Sequence, residues 1–453
     1  MPPMKSTPTD RLAGPPASRT ATPQPPEAGT AQRTADGPPA PTLPRGRPIV
    51  AGNPPGAAAA DPRRARRKAA RQRWTRVRNA MLVWHRWFGL LAGVWLFLLA
   101  STGTVLVFYE EIDHFLNPSL FHRPAVGERL PFEDLVRIAE ASHAGSYASY
   151  VDLPNAAHEP VVAFLRARAD AEQPVTPGLH TFVDPYTGEV LASRVAGAFK
   201  LDRLHIARWI YELHMNLHLD TFGAVLLAIV ALLWIFDHIP SVWLSFPRLR
   251  GWWRSFMVKR SAKGAALAYG WHRASGLWLA PVTLVLAVSG LYFNLYPVFV
   301  AAVEAVSPLT KRTHQTAPQL EEPVYGPEVP VDRALAVASF AAGGAEVDSL
   351  SVLPASGLYW VRLFDPRDLA DYGQRSVYVD MGSGEVVGDS HRAVGSAGDV
   401  FVALQFPLHS GKILGWPGRI LIALTGLVIC ALVITGFVLW LRRARGRRGA
   451  AAG

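Results

Sequence analysis

Two copies of W-H-R-x-x-G-L, starting at Trp84 and Trp271, each run straight into an apolar stretch long enough to cross a bilayer. The agreement extends well past the motif. His85 and His272 are each followed by a glycine four residues on (Gly89, Gly276), a second glycine eighteen on (Gly103, Gly290) and a tyrosine twenty-four on (Tyr109, Tyr296). Matching positions over a whole span mark an internal duplication rather than two unrelated hydrophobic runs. Such a chain folds around membrane helices. Half of its 453 residues are hydrophobic, with a mean hydropathy of +0.15, so much of its apolar surface is destined for lipid.

A histidine at the end of a membrane helix, with a glycine one turn along the same face, offers an imidazole beside a bare strip of backbone. The imidazole can ligate a metal, and the missing side chain admits a flat, bulky group. Haem meets both conditions, and two such helices at matching depth would give one neutral imidazole on each side of an iron. An interfacial histidine beside Trp84 and Trp271 can also serve only as an anchor. Repetition together with the glycine favours the ligand. Arg86 and Arg273, directly after the two histidines, have the shape and charge to hold haem propionates or to anchor the chain at a membrane surface.

The formal net charge of +11 is concentrated in three places: Arg63 to Arg78, a loop bearing Arg248, Arg250, Arg254, Lys259, Arg260 and Lys263, and Arg442 to Arg448. With four spans all three fall on one side, so the positive-inside rule puts both termini in the cytoplasm and turns the two long connections outward, in a bacterial cell into the periplasm. Basic runs this close to membrane spans speak for topology and anionic lipid, not nucleic acid. The single cysteine, Cys430, excludes intramolecular disulfides, a Cys-ligated iron–sulfur cluster and covalent c-type haem. No G-x-G-x-x-G follows a strand and no G-x-x-x-x-G-K occurs, so no nucleotide-binding fold is expected.

In order, the sequence predicts a disordered N-terminus (1–75), span one (81–109), a first small periplasmic domain (110–200), an interfacial helix with span two (201–238) and a basic loop (239–270). Span three (271–297), a second small domain (298–399), an interfacial segment with span four (400–441) and a basic tail (442–453) repeat the plan. Both small domains read as α+β. Helices are expected at Pro131 to Ala141 and Val331 to Phe340, and strands at Val161 to Arg166, Thr181 to Val183, Tyr359 to Phe364 and Ser376 to Val379. Each domain ends in V-D-x-x-x-G-E-V, turning at Asp184 and Asp380.

A second repeated histidine precedes each even-numbered span: Leu213-His214 matches Leu408-His409, each followed nine residues later by a glycine. A helix of 25 residues is about 37 Å long, so histidines from opposite faces cannot share an iron. The expected pairs are therefore His85 with His272 and His214 with His409, related by a pseudo-two-fold axis along the membrane normal. His218 and His238 are secondary candidates, without counterparts in the other repeat. His114, His122, His143, His158, His180, His314 and His391 read as solvated, and Glu110, Glu111 and Asp113 as the solvated end of span one.

W-H-R-x-x-G-L, the Leu-His pairs and the duplicated D-x-x-x-G-E-V domain together resemble the PepSY-associated transmembrane family of bacterial inner-membrane proteins, over residues 80 to 443. The end of span two, Phe236-Asp237-His238-Ile239-Pro240, departs from the family's usual exit. The resemblance implies b-type haem, two per chain, and iron acquisition by a ferric-siderophore reductase. A quinol or a cytoplasmic flavoprotein would donate the electrons, the lipid bilayer is the surrounding partner, and a homo-oligomer is compatible with all of this. The competing expectation is a membrane-anchored regulator or inhibitor of periplasmic peptidases, which needs none of the four histidines. A transporter would put ionisable groups at the bilayer midplane, and these spans carry none.

Overall fold

The computed structural model describes residues 62–154, 156–171, 178–246 and 251–452. Arg248, Arg250 and residues 1–61 of the expected disordered segment lie outside them. Residues 62–75, also expected to be disordered, instead open helix α1 (Pro62–Leu91). Their run of Ala, Arg, Lys and Gln has high helix propensity, which the charge pattern had obscured.

Span one is not one helix. α1 gives way at Ala92 to α2 (Gly93–Leu106) with a 55° bend, between Gly89 and Gly93. The chain then breaks at Phe108 into α3 (Tyr109–Leu116) and α4 (Pro118–Phe121). The first small domain follows as α5 (Phe132–Ala141), β1 (Ser146–Asp152), β2 (Val161–Ala167), β3 (Leu179–Val183) and β4 (Val190–Val195). A short helix α6 (Ile206–Asn216) leads into the long α7 (Asp220–Ser245), which runs through Pro240 and past the expected end of span two.

The second repeat retraces this path. α8 (Gly264–Asn294) breaks at Leu295 into α9 (Tyr296–Glu304) and α10 (Thr313–Thr316), so the repeated tyrosines both mark where a span ends. Then come α11 (Val331–Ala341), β5 (Val347–Leu353), β6 (Leu358–Leu363), β7 (Arg375–Asp380), β8 (Val386–His391), α12 (Ala397–Ser410) and α13 (Gly415–Ala452). Among the described residues three helices are long and apolar enough to cross a membrane, and the bent α1–α2 pair would make a fourth. α13 packs on α2 and α8, and α7 on α8. At the α2–α13 contact Gly426 has no room for a side chain: an added Cβ would lie 2.9 Å from Ala100 O and closer still to Thr104 Oγ1.

Two separate small domains were expected; the structure joins them. β1 pairs antiparallel with β5 (Tyr150 with Ser351, Val151 with Leu350, Asp152 with Ser349), giving one eight-stranded sheet of order β4-β3-β2-β1-β5-β6-β7-β8. α5 and α11 cover one face over a single core that includes Leu135, Ala139, Val151, Ala334, Leu350 and Val361. The helices also cap each other. Proline occupies both N-cap positions and offers no side-chain acceptor. Asp332 instead accepts from the amides of Phe132 and Glu133 at 3.0 and 2.9 Å, and Glu133 from that of Val331 at 2.6 Å.

The opposite face of the sheet meets the bundle. Buried Asp113 of α3 pairs with buried Arg194 of β4 at 2.8 Å, Glu111 with Arg419 at 2.6 Å, and Glu110 with Lys412 at 3.1 Å. The acids expected to be a solvated end therefore bind the sheet and α13 to α3. Arg419 also donates to Val107 O, capping the last turn of α2.

Candidate cofactor sites

Each end of the bundle brings two histidines together. At the end carrying the basic segments, the rings of His85 and His272 have centres 6.3 Å apart and planes at 71°. At the end beneath the sheet, His214 and His409 have centres 6.3 Å apart and planes at 70°. On α8, seventeen residues separate His272 from Ser289, which touches His409. That is about 25 Å of helix. An apolar layer of Leu96, Ala100, Val230 and Ile429, with Trp95 and Trp234 packed on it, lies in the core.

The hydrogen bonds of these rings fix their tautomers. His85 Nδ1 donates to Asp237 Oδ2 at 2.8 Å. His272 Nδ1 lies 3.0 Å from Thr435 Oγ1, His214 Nδ1 2.9 Å from Thr102 Oγ1, and His409 Nδ1 2.7 Å from Ser289 Oγ. Each of those hydroxyls already gives its own hydrogen to a carbonyl four residues back at 2.7 Å: Ala431, Leu98 and Val285 respectively. Each can then only accept from the imidazole. All four rings therefore carry their proton on Nδ1 and keep the Nε2 lone pair, which no described residue uses.

This geometry passes a test of fit for a bis-imidazole metal centre. An imidazole nitrogen binds a metal at about 2.0 Å, so two imidazoles that would hold one metal atom between them have ring centres about 6 Å apart. Both pairs have that separation. Beside His85 and His272 opens a cavity of about 410 Å³ lined by Gly89, Gly93, Gly276, Trp234 and Asp237. A Cβ added at Gly89 would meet nothing within 4 Å and one at Gly276 only Leu432 at 3.8 Å, so a flat group has room against both helices. Gly103 serves a different end: a Cβ there would lie 2.9 Å from His214 Cε1. Among the described residues no three His, Cys, Asp or Glu groups converge as a metal cluster. Paired imidazoles facing a planar cofactor need no third.

Arg86 lines the cavity together with Arg78 and Arg443. Arg273 also borders it but is committed elsewhere, donating to the carbonyls of Ser255, Arg254 and Met257 and fastening the loop before α8. His238 has both nitrogens occupied, by Trp234 O at 2.7 Å and Thr283 Oγ1 at 3.0 Å. His218 turns away from His214 to Trp209 O at 3.0 Å, on a backbone with φ of 56°. His238 therefore has no free nitrogen, whereas His218 keeps Nδ1 without a hydrogen-bond partner among the described residues. Two histidines expected at the surface are buried: His180 packs on Phe164 at 4.1 Å, and His391 Nε2 lies 2.9 Å from Asp368. Burial, then Arg208 and Arg194, push His180 down to about 2, so it stays neutral.

Sequence reasoning missed the four partners Asp237, Thr435, Thr102 and Ser289. Two had a signal, since Thr102-Gly103 and Ser289-Gly290 recur in register with the first motif.

The family model for the PepSY-associated TM region matches residues 82–443. The chain belongs to that family. No curated protein is significantly similar to it.

Proposed function

We propose that this PepSY-associated protein is a di-haem b oxidoreductase of the bacterial inner membrane. It takes electrons from the quinol pool or a cytoplasmic flavoprotein and passes them to a ferric siderophore in the periplasm. The observation that carries the reading is the set of four Nδ1 hydrogen bonds, which orient two imidazole pairs 6.3 Å apart with every Nε2 lone pair free. His85 and His272 would hold one haem and His214 and His409 the other. Bound there, haem supplies one-electron chemistry.

The remaining work falls to the chain. Asp237, Thr435, Thr102 and Ser289 orient the imidazoles, Gly89 and Gly276 make room, and Arg78, Arg86 and Arg443 offer cations to propionates. The apolar core between the pairs excludes water and stray protons. Reduction releases iron because oxygen ligands hold Fe(III) more tightly than Fe(II). The test is to reduce the purified protein with dithionite, remove the excess without oxygen, and mix it with a ferric siderophore. Stoichiometric re-oxidation of b-type absorption bands is expected. Absence of those bands after expression with ample haem rejects the reading and leaves the peptidase regulator, which makes no use of the histidines.

A further inference from the structure

The four imidazoles differ in one respect that the duplication does not explain. His272, His214 and His409 each donate to a neutral hydroxyl, on Thr435, Thr102 and Ser289, whereas His85 Nδ1 donates to a carboxylate, Asp237 Oδ2, at 2.8 Å. The acid belongs to the first repeat alone: Asp237 stands twenty-three residues after His214, and Leu432 stands twenty-three after His409. Its side chain is buried, and its second oxygen, Oδ1, has no hydrogen-bond partner among the described residues. The arginines that line the same cavity, Arg78, Arg86 and Arg443, make no ion pair with it among those residues. Among the described residues the His85 ring is therefore the only group bonded to this carboxylate.

A carboxylate that accepts from Nδ1–H makes the imidazole a stronger electron donor through Nε2. Its charge also acts in an apolar setting, since Leu96, Leu277, Ile429 and Val433 line the same cavity. Both effects favour the more positive metal. The core of a bis-imidazole haem carries a net positive charge when ferric and none when ferrous, so an adjacent anion stabilises the ferric form and lowers the reduction potential. A hydroxyl carries no net charge, and three of the four rings have only that.

We propose that Asp237 holds the His85–His272 site at a lower reduction potential than the His214–His409 site, and so gives electron transfer a direction, from the basic end of the bundle to the end beneath the sheet. This rests on the redox reading of the two pairs. Each electron given up at the first pair is taken up at the second, with no proton moved and no further reactant. Asp237 acts through His85, so it is a positioning residue.

The experiment is a spectroelectrochemical titration of the detergent-purified full chain, of His409→Ala and His272→Ala, which leave one intact pair each, and of Asp237→Asn. The haem kept by His409→Ala is expected to have a lower midpoint than the haem kept by His272→Ala. In Asp237→Asn the lower midpoint rises by at least about 59 mV, the one-electron equivalent of tenfold, and the higher one moves far less. By the same thermodynamic cycle, ferric haem binding to Asp237→Asn weakens at least about tenfold more than ferrous haem binding, where a purely structural role would weaken both alike. The reverse order in the one-pair variants, or midpoints that Asp237→Asn leaves in place, overturns the proposal and spares the redox reading. If Asp237→Asn loses the haem of the first pair altogether, the order in the one-pair variants decides. A wild-type chain that binds no haem overturns both.

Discussion

The first and second repeats share a plan and differ in the chemistry placed on it. Each supplies a histidine at either end of the bundle, a tyrosine where a span breaks, and half of one sheet. Yet His85 leans on a carboxylate where His272 leans on a hydroxyl, and the first repeat buries an Arg194–Asp113 ion pair at its junction with the bundle. Duplication fixes where side chains go; divergence decides which charges they meet.

Removing the paired acid should separate the halves most strongly. Asp113→Ala strands Arg194 in a buried site and is expected to cost about 3–5 kcal/mol, read as lowered thermal stability of the detergent-solubilised chain. The histidine partners give the next contrast. Asp237→Asn should weaken haem affinity by about 10–100-fold at the His85–His272 site alone. Titration of the apo-protein with haemin reads this as loss of one tight binding phase while the other persists; equal weakening of both phases would mean that the two sites are not independent.

The helices were legible in the sequence because membrane spans and repeated motifs carry dense signals. The pairing of histidines was legible as well, since helix length forbids the alternative. The strands that join the two domains were not. Ser146–Asp152 and Val347–Leu353 interleave Ser and Asp with their apolar residues, so neither shows the apolar run expected of a central strand. Asp113 and His180 were misjudged for a related reason: each lies in a segment that looks solvent-facing until the sheet settles onto the bundle. The groups that orient the four imidazoles come from other helices, at sequence separations of 112 to 163 residues, and no local pattern announces them.

His180 offers a finer contrast, because β7 of the second repeat has no histidine. Its proton affinity is depressed in the folded protein, to about 2, but ordinary in the unfolded chain. The unfolded state therefore gains a proton that the fold refuses, and stability falls as pH drops below about 6.5, by up to about 1.4 kcal/mol per unit. Denaturant unfolding at pH 6.5 and 5 should differ by about 2 kcal/mol less in His180→Phe than in wild type. Equal pH dependence would show that His180 is protonated in the fold.

The smallest effect expected is at the reciprocal caps. Asp332 serves two amides and Glu133 one, so Asp332→Ala should lower sheet-domain stability by about 1 kcal/mol and Glu133→Ala by less. The reverse order would mean that the two helices are not held by each other's carboxylates.

The central claim, two imidazole pairs each holding one haem, is tested most directly by pyridine haemochrome stoichiometry of the purified wild type, His272→Ala and His409→Ala. The expected result is about two b haems per chain in the wild type and about one in each variant, with the double variant empty. Retention of both haems in either single variant, or a wild type that binds none, would contradict it.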